Sequence, residues 1–256
     1  MSRIEARGLS VDYATSAGPL RALDRVTFTV EHREIVSIVG PSGSGKTTLL
    51  LALAHLKRPA EGEVLIDGHP SREVPNVGVI FQEYNRVLLL WKDVQANVEM
   101  GAELRGLEAD ARRQRADKFI EMVGLGEFRR AYPHQLSGGM KQRVQIARIL
   151  AYDPAFLLCD EPFGSVDAQT RAGLQNDLLR LWEEAPRTIV FVTHDVDEAI
   201  FMADRVIVMS SRPGRVIEEL KVPFPRPRHP RFSERDPTGT PEFAEIRRHI
   251  WRLMGL

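Results

Sequence analysis

The sequence predicts an α/β fold: a mainly parallel sheet covered by helices, preceded by a small antiparallel β subdomain and interrupted by a helical insertion. Three observations lead there. Short apolar runs rich in β-branched residues recur at 35–39, 155–159, 188–192 and 205–209, each bounded by turn formers or charges, and such runs suit strands buried on both faces. Helix-like segments near 46–57, 139–152, 168–184 and 196–203 lie between them, the alternation expected of a parallel sheet. Residues 3–34 and 62–68, by contrast, read as strands without intervening helices, and 92–152 reads as mainly helical with a charged surface at 108–115.

The first run leads into Gly40-Pro41-Ser42-Gly43-Ser44-Gly45-Lys46-Thr47, followed by Thr48 and a helical pattern. A glycine-rich loop between strand and helix is the setting of a Walker A phosphate loop, and so of a P-loop NTPase core. Its glycines let the backbone wrap phosphates, Lys46 places a cation on the β and γ oxygens, and the Thr47 hydroxyl can ligate magnesium. A plain turn would use similar residues without the strand before it and the helix after it.

Leu136-Ser137-Gly138-Gly139-Met140 opens a second helix with the same chemistry. Ser137 suits the N-cap, and the glycines leave backbone N–H groups free to face an anion at the positive end of the helix dipole. An ordinary capped helix would also explain the pentad taken alone. The run at 155–159 ends in Asp160-Glu161, two carboxylates at the end of a parallel strand, where ligands gather. Asp160 can hold Mg²⁺ through water, and Glu161 can polarise an attacking water as general base. His194 closes another strand; a histidine in that position is often a structural hydrogen bonder. Cys159, the single cysteine, lies in an apolar run and reads as a buried strand residue.

After Met209 the composition changes. Residues 222–230 are too proline-rich for a helix or a central strand and read as an extended arm, after which 242–254 recovers a helical pattern with Phe243, Ile246, Ile250 and Leu253 on one side. Arg212, Arg215, Lys221, Arg226, Arg228, Arg231 and Arg235 make this stretch basic, the usual mark of a solvated surface. The expected organisation is therefore a nucleotide-binding domain over 1–215, its helical subdomain at about 92–152, and a C-terminal arm and helix over 216–256.

The whole chain narrows the classes of function. Thirty-five basic residues balance 35 acidic ones, so no net field draws the protein to nucleic acid or to an anionic bilayer. There is no apolar stretch long enough to span a membrane, and the first residues lack the apolar core of a signal peptide. Membrane association must then come through a partner.

Taken in order, these motifs resemble the ATP-binding subunits of ABC transporters over nearly the whole chain. The Walker A loop, Gln82 after Ile80-Phe81, the signature Leu136 to Met140, the Walker B strand ending in Asp160-Glu161, a D-loop at Ser165-Val166-Asp167, and His194 all match. The resemblance implies that Tyr13 stacks on adenine, that Gln82 senses the γ-phosphate and magnesium, that His194 contacts the γ-phosphate, and that Asp167 joins the nucleotide site. It also implies a head-to-tail dimer, with the signature of one subunit over the ATP of the other, the second half being another copy or a related subunit.

Residues 81–84, Leu88 to Trp91, Ala96-Asn97-Val98, 193–199 and 211–215 look like the nitrate, sulfonate and taurine importer ATPases. That group implies a membrane permease docked near Tyr84–Trp91, a periplasmic or extracellular solute-binding protein acting through it, and a peripheral place on the cytoplasmic face. Two departures stand out: Leu89-Leu90-Trp91 replaces the usual Leu-Pro-Trp, which implies a differently shaped permease-facing loop, and the signature ends in Met140 rather than glutamine, a variant usual in this group. The alternative is a soluble ABC ATPase acting on DNA or ribosomes. Repair members carry long coiled coils and translation members fuse two cassettes, whereas this chain has one cassette and no sustained heptads. A catalytically idle cassette is opposed by Lys46, Glu161 and His194.

Overall fold

The computed structural model describes residues 3–255, apart from 17, 71–76, 83–86, 165, 185–186, 227, 229 and 232. Tyr84, at the expected permease contact, and Ser165 of the D-loop lie outside the described residues.

β1 (Ile4–Thr15) and β2 (Gly18–Val30) form an antiparallel pair, and β4 (Glu61–Ile66) and β5 (His69–Pro70) extend it into a four-stranded sheet in the order β2-β1-β4-β5. The second sheet joins β3 (Ile35–Val39), β6 (Val77–Ile80), β7 (Phe156–Asp160), β8 (Thr188–Val192), β9 (Arg205–Met209) and β10 (Val216–Lys221) in the order β10-β9-β3-β8-β7-β6. It is parallel except where β10 pairs antiparallel with β9.

Strand periodicity divides the core in two. Val36, Ile38, Leu158 and Val190 point to one face of the large sheet, where Leu49, Leu50 and Leu53 of α1 (Lys46–Leu53) are sandwiched between it and the antiparallel sheet. Each of these fully buried leucines contributes about 1.5–3 kcal/mol relative to exposure. Ile35, Val39, Leu157, Cys159 and Ile189 face the other side. There they meet the insertion helices α2 (Val94–Leu104), α3 (Ala109–Met122) and α4 (Gly138–Tyr152), together with α5 (Ala168–Glu184), α6 (Val196–Met202) and α7 (Pro241–Leu253). The expected helix at 46–57 is shorter, because His55 turns left-handed (φ 57°) and the amides of Leu56 and Lys57 fold back onto the Leu51 carbonyl.

β10, within the C-terminal arm expected over 216–256, is an edge strand of the main sheet rather than part of the proline-rich extension, and the Val222 N–H after it binds the Asp204 carbonyl. Nor is the basic run simply a solvated surface. Arg226 donates to Asp204 Oδ1 at 2.7 Å and to the Met202 carbonyl at 2.7 Å, and its guanidinium stacks 4.5 Å from the Trp182 ring. Arg228 is buried and donates to the carbonyls of Ile200, Phe201 and Ala203, the acceptors left over at the end of α6. Helix α7, with Phe243 and Ile250 buried, closes over α6 as its apolar spacing predicts, and the Phe224 and Phe243 rings stack at 5.8 Å.

At the other end of α6, Asp195 caps the helix through Glu198 N at 3.1 Å, and Glu198 itself is buried, accepting from Gln175 at 2.8 Å. Burial raises the Glu198 pKa against the pull of its hydrogen bonds to Thr193 and Gln175. Folded protein therefore holds this proton more tightly than unfolded chain. The carboxyl costs no stability below its ordinary value of 4.5, and its cost grows as pH rises from there through the raised folded value. Glu198→Gln has no proton to lose, so its melting temperature should gain on the wild type's as pH is raised from about 4.5 to 8; a pH-independent difference would mean that folding leaves the Glu198 pKa where it is in the unfolded chain.

Candidate nucleotide site

The phosphate loop joins β3 to α1 and is shaped by its glycines. Gly45 sits at φ 89°, and a Cβ there would lie 2.7 Å from Leu23 Cδ2 and 2.9 Å from the Ala22 carbonyl, so conformation and space both demand glycine. Lys46 opens the helix, and its ammonium is buried, bonded to the carbonyls of Gly40 at 2.8 Å and Pro41 at 3.1 Å. Burial lowers its pKa, while the charges of Glu161 and Asp160 pull it back up. Ser44, fully buried, ties the loop internally through its N–H to the Pro41 carbonyl at 3.1 Å.

Asp160 ends β7 and is 4% exposed. Burial raises its pKa and the hydrogen bond from the Thr47 hydroxyl lowers it, so Walker A and Walker B meet through that pair. Glu161 then leaves the strand at φ 47°, its N–H bonded to the Val192 carbonyl at 2.9 Å. This turn gives the adjacent acids different directions. Glu161 Oε2 accepts from Gln82 Nε2 at 3.0 Å and lies 3.0 Å from His194 Nδ1.

Strand order accounts for that convergence. β6, β7 and β8 are neighbours, and each is followed within two residues by one member: Gln82, Glu161 and His194. All three stand at the carboxyl ends of parallel strands. Beside them opens a cavity of about 290 Å³, lined by Tyr13, Ser42, Gly43, Gly45, Lys46, Thr47, Thr48 and Glu161 among others. Tyr13 OH lies 3.2 Å from Thr48 Oγ1, and the Lys57 ammonium sits 4.1 Å from the Tyr13 ring centre.

The remaining expected residues lie elsewhere. Ser137 caps α4, accepting from Met140 N at 3.3 Å, and Gly138 and Gly139 form its first turn; none of the three lines this cavity. Asp167 accepts from Thr170 N at 3.0 Å ahead of α5, a bond that lowers its pKa. Two further residues belong to the site's surroundings. Gln142, buried on α4, donates to the Pro162 carbonyl and, at 3.4 Å, to that of Glu161, linking the signature helix to the Walker B turn. Arg212 lines the cavity. Only the periodicity of α4 marks Gln142 in sequence, and Arg212 is marked there only as part of the 211–215 stretch, with no sign that it faces a nucleotide.

A cationic loop at a helix N-terminus, a metal-compatible Asp–Thr pair and a carboxylate held between an amide and an imidazole are what binding and hydrolysing a nucleoside triphosphate require. Comparison with known proteins agrees. The ABC transporter family model matches residues 23–164. A nitrate import ATP-binding protein of Synechococcus elongatus is 42% identical over 92% of this chain and 85% of its own length. A taurine import ATP-binding protein of Rhizobium johnstonii is 42% identical over 96% and 94%. A bacterial ABC transporter cassette solved as a dimer is 34% identical with a TM-score of 0.78, covering 86% of this chain and 98% of its own, and has also been solved as a post-hydrolysis dimer bound to ADP and Pi. The chain belongs to the ABC transporter family and is an ATP-binding subunit with ATPase activity.

Proposed function

We propose that this chain is the motor subunit of an ABC importer, hydrolysing ATP in a head-to-tail dimer to drive uptake of a small anion or organic solute, such as nitrate, a sulfonate or taurine, through a separate permease. The observation that carries the reading is the convergence of Gln82, Glu161 and His194 beside the phosphate loop. The importer assignment draws on the names of the nitrate and taurine relatives.

In this reading the loop amides and Lys46 bind the phosphates, Tyr13 meets the adenine, and Glu161 takes the proton of the water that attacks the γ-phosphorus as the bond to the β-phosphate oxygen breaks. His194 orients Glu161 from one side and contacts the γ-phosphate; Gln82 does so from the other. Asp160, Thr47 and Gln82 offer the oxygen donors Mg²⁺ prefers. Among the described residues no cluster of three or more His, Cys, Asp or Glu side chains could hold a metal, which fits an ion whose other ligands come from phosphate and water. Magnesium, when bound, would neutralise charge on the β and γ oxygens.

Ser137, Gly138 and Gly139 stand at the N-terminus of α4, away from this chain's own cavity, which suits phosphate capture for a second subunit. Permease contact is assigned to the shelf before α2. Buried Asn97 bonds backbone groups of Leu89, Lys92 and Asp93, and so holds Leu90 and Trp91 out at 57% and 74% exposure. Among the described residues no helix is long and apolar enough to cross a membrane, so attachment would be peripheral, through the permease, on the cytoplasmic face, with a solute-binding protein on the far side. Affinity purification from membranes should recover a permease with the wild type, and Leu90→Asp/Trp91→Asp should lose it while basal ATPase changes less than about twofold. Recovery with ribosomes or DNA and no permease would overturn transport in favour of a nucleic-acid machine.

A further inference from the structure

The hairpin between β9 and β10 is seated against the phosphate loop. Gly214 N donates to the Ala22 carbonyl at 2.9 Å, Asp24 N donates back to the Gly214 carbonyl at 3.0 Å, and a Cβ on residue 214 would lie 2.0 Å from the Ser44 carbonyl oxygen. Glycine is thus what lets the hairpin tip touch the loop. The contact places Arg212, two residues earlier, at the mouth of the cavity, where its Nε donates to the Gly43 carbonyl at 3.3 Å.

The neighbouring arginines spend their charge within the protein: Arg215 pairs with Asp24, and Arg226 with Asp204. Among the described residues no carboxylate pairs with Arg212, although it is exposed and shares a cavity wall with Lys46, Thr48 and Tyr13. Lys46 is drawn inward onto the Gly40 and Pro41 carbonyls, and Arg212 is the other cation among the residues that line the cavity. A guanidinium with free N–H groups beside a phosphate cradle has the planar donor fork that phosphate oxygens accept.

We propose that Arg212 is a nucleotide-binding residue, its guanidinium pairing with the phosphate chain of the bound nucleotide and tying the β9–β10 hairpin to site occupancy. This rests on the ATP-binding reading and adds a residue to it. The test measures binding of Mg-ADP and of a non-hydrolysable Mg-ATP analogue to the full chain as wild type, Arg212→Met, Arg212→Lys and Lys46→Ala. Methionine keeps the aliphatic stem and removes the charge. It should weaken both nucleotides about tenfold at about 50 mM salt, lysine should recover part of the loss, and the gap between wild type and Arg212→Met should shrink at about 500 mM salt. Arg212→Met binding within twofold of wild type at low salt would overturn the proposal. So would Arg212→Lys binding as poorly as Arg212→Met with equal losses of melting temperature, since Arg212 would then only brace Gly43. A wild type that binds neither nucleotide would sink the ATP reading itself, whereas wild-type binding that Lys46→Ala abolishes and Arg212→Met leaves intact would sink this inference alone.

Discussion

Glu161→Gln is expected to lower ATP turnover by about a thousandfold at saturating ATP while leaving nucleotide binding intact, the scale on which a positioned general base contributes. The substitution keeps an oxygen for Gln82 Nε2 and preserves the size of the group beside His194 Nδ1, so the constellation at the ends of β6, β7 and β8 survives. What is lost is the capacity to accept the water's proton. With hydrolysis blocked, the ATP-bound dimer should accumulate, seen as a shift to twice the mass in size-exclusion chromatography with Mg-ATP that ADP does not produce. Turnover within tenfold of wild type would remove Glu161 from the role of base.

Arg228→Ala should destabilise the protein by about 3 kcal/mol, a drop of roughly 10 °C in melting temperature for a chain of this size. Arg228 is 8% exposed and serves the carbonyls of Ile200, Phe201 and Ala203, so truncation leaves buried acceptors at the end of α6 without donors. Because α6 begins at the cap Asp195, directly after His194, the same loss loosens the far end of the segment that carries the imidazole. Arg228→Lys should recover less than half, since one ammonium cannot span acceptors that a guanidinium fork bridges. A melting temperature within about 2 °C of wild type would show that water replaces the guanidinium at these carbonyls.

The motif residues were legible because each sits in a local pattern: a glycine loop after an apolar run, paired acids at a run's end, a serine before a helical period. Fold class followed from the same alternation, and the apolar spacing of 242–254 foretold the buried face of α7. What could not be read was adjacency. Gln82, Glu161 and His194 meet because β6 and β8 flank β7; the three strands follow one another in the chain, but the insertion helices and α5 stand between them, so no local spacing shows the pairing. β10 carries no apolar run, because its residues alternate between half-buried and exposed, as befits an edge strand. The arginines of the arm looked solvated because the acceptors that bury Arg228 are backbone carbonyls, which leave no trace in side-chain composition.

The position of β3 has a consequence for how the protein comes into being. Its residues 35–39 are laid down early, yet the strands on both its sides, β8 and β9, are among the last of the parallel sheet to be made; Arg33 and its partner Thr188 stand 155 residues apart. Through most of synthesis the nascent chain therefore carries an apolar strand, and the phosphate loop attached to it, with neither lateral neighbour in place. The loop acquires its rigid base only when the segment bearing His194 arrives, so a prematurely terminated chain lacks the frame that holds its Walker A motif in shape.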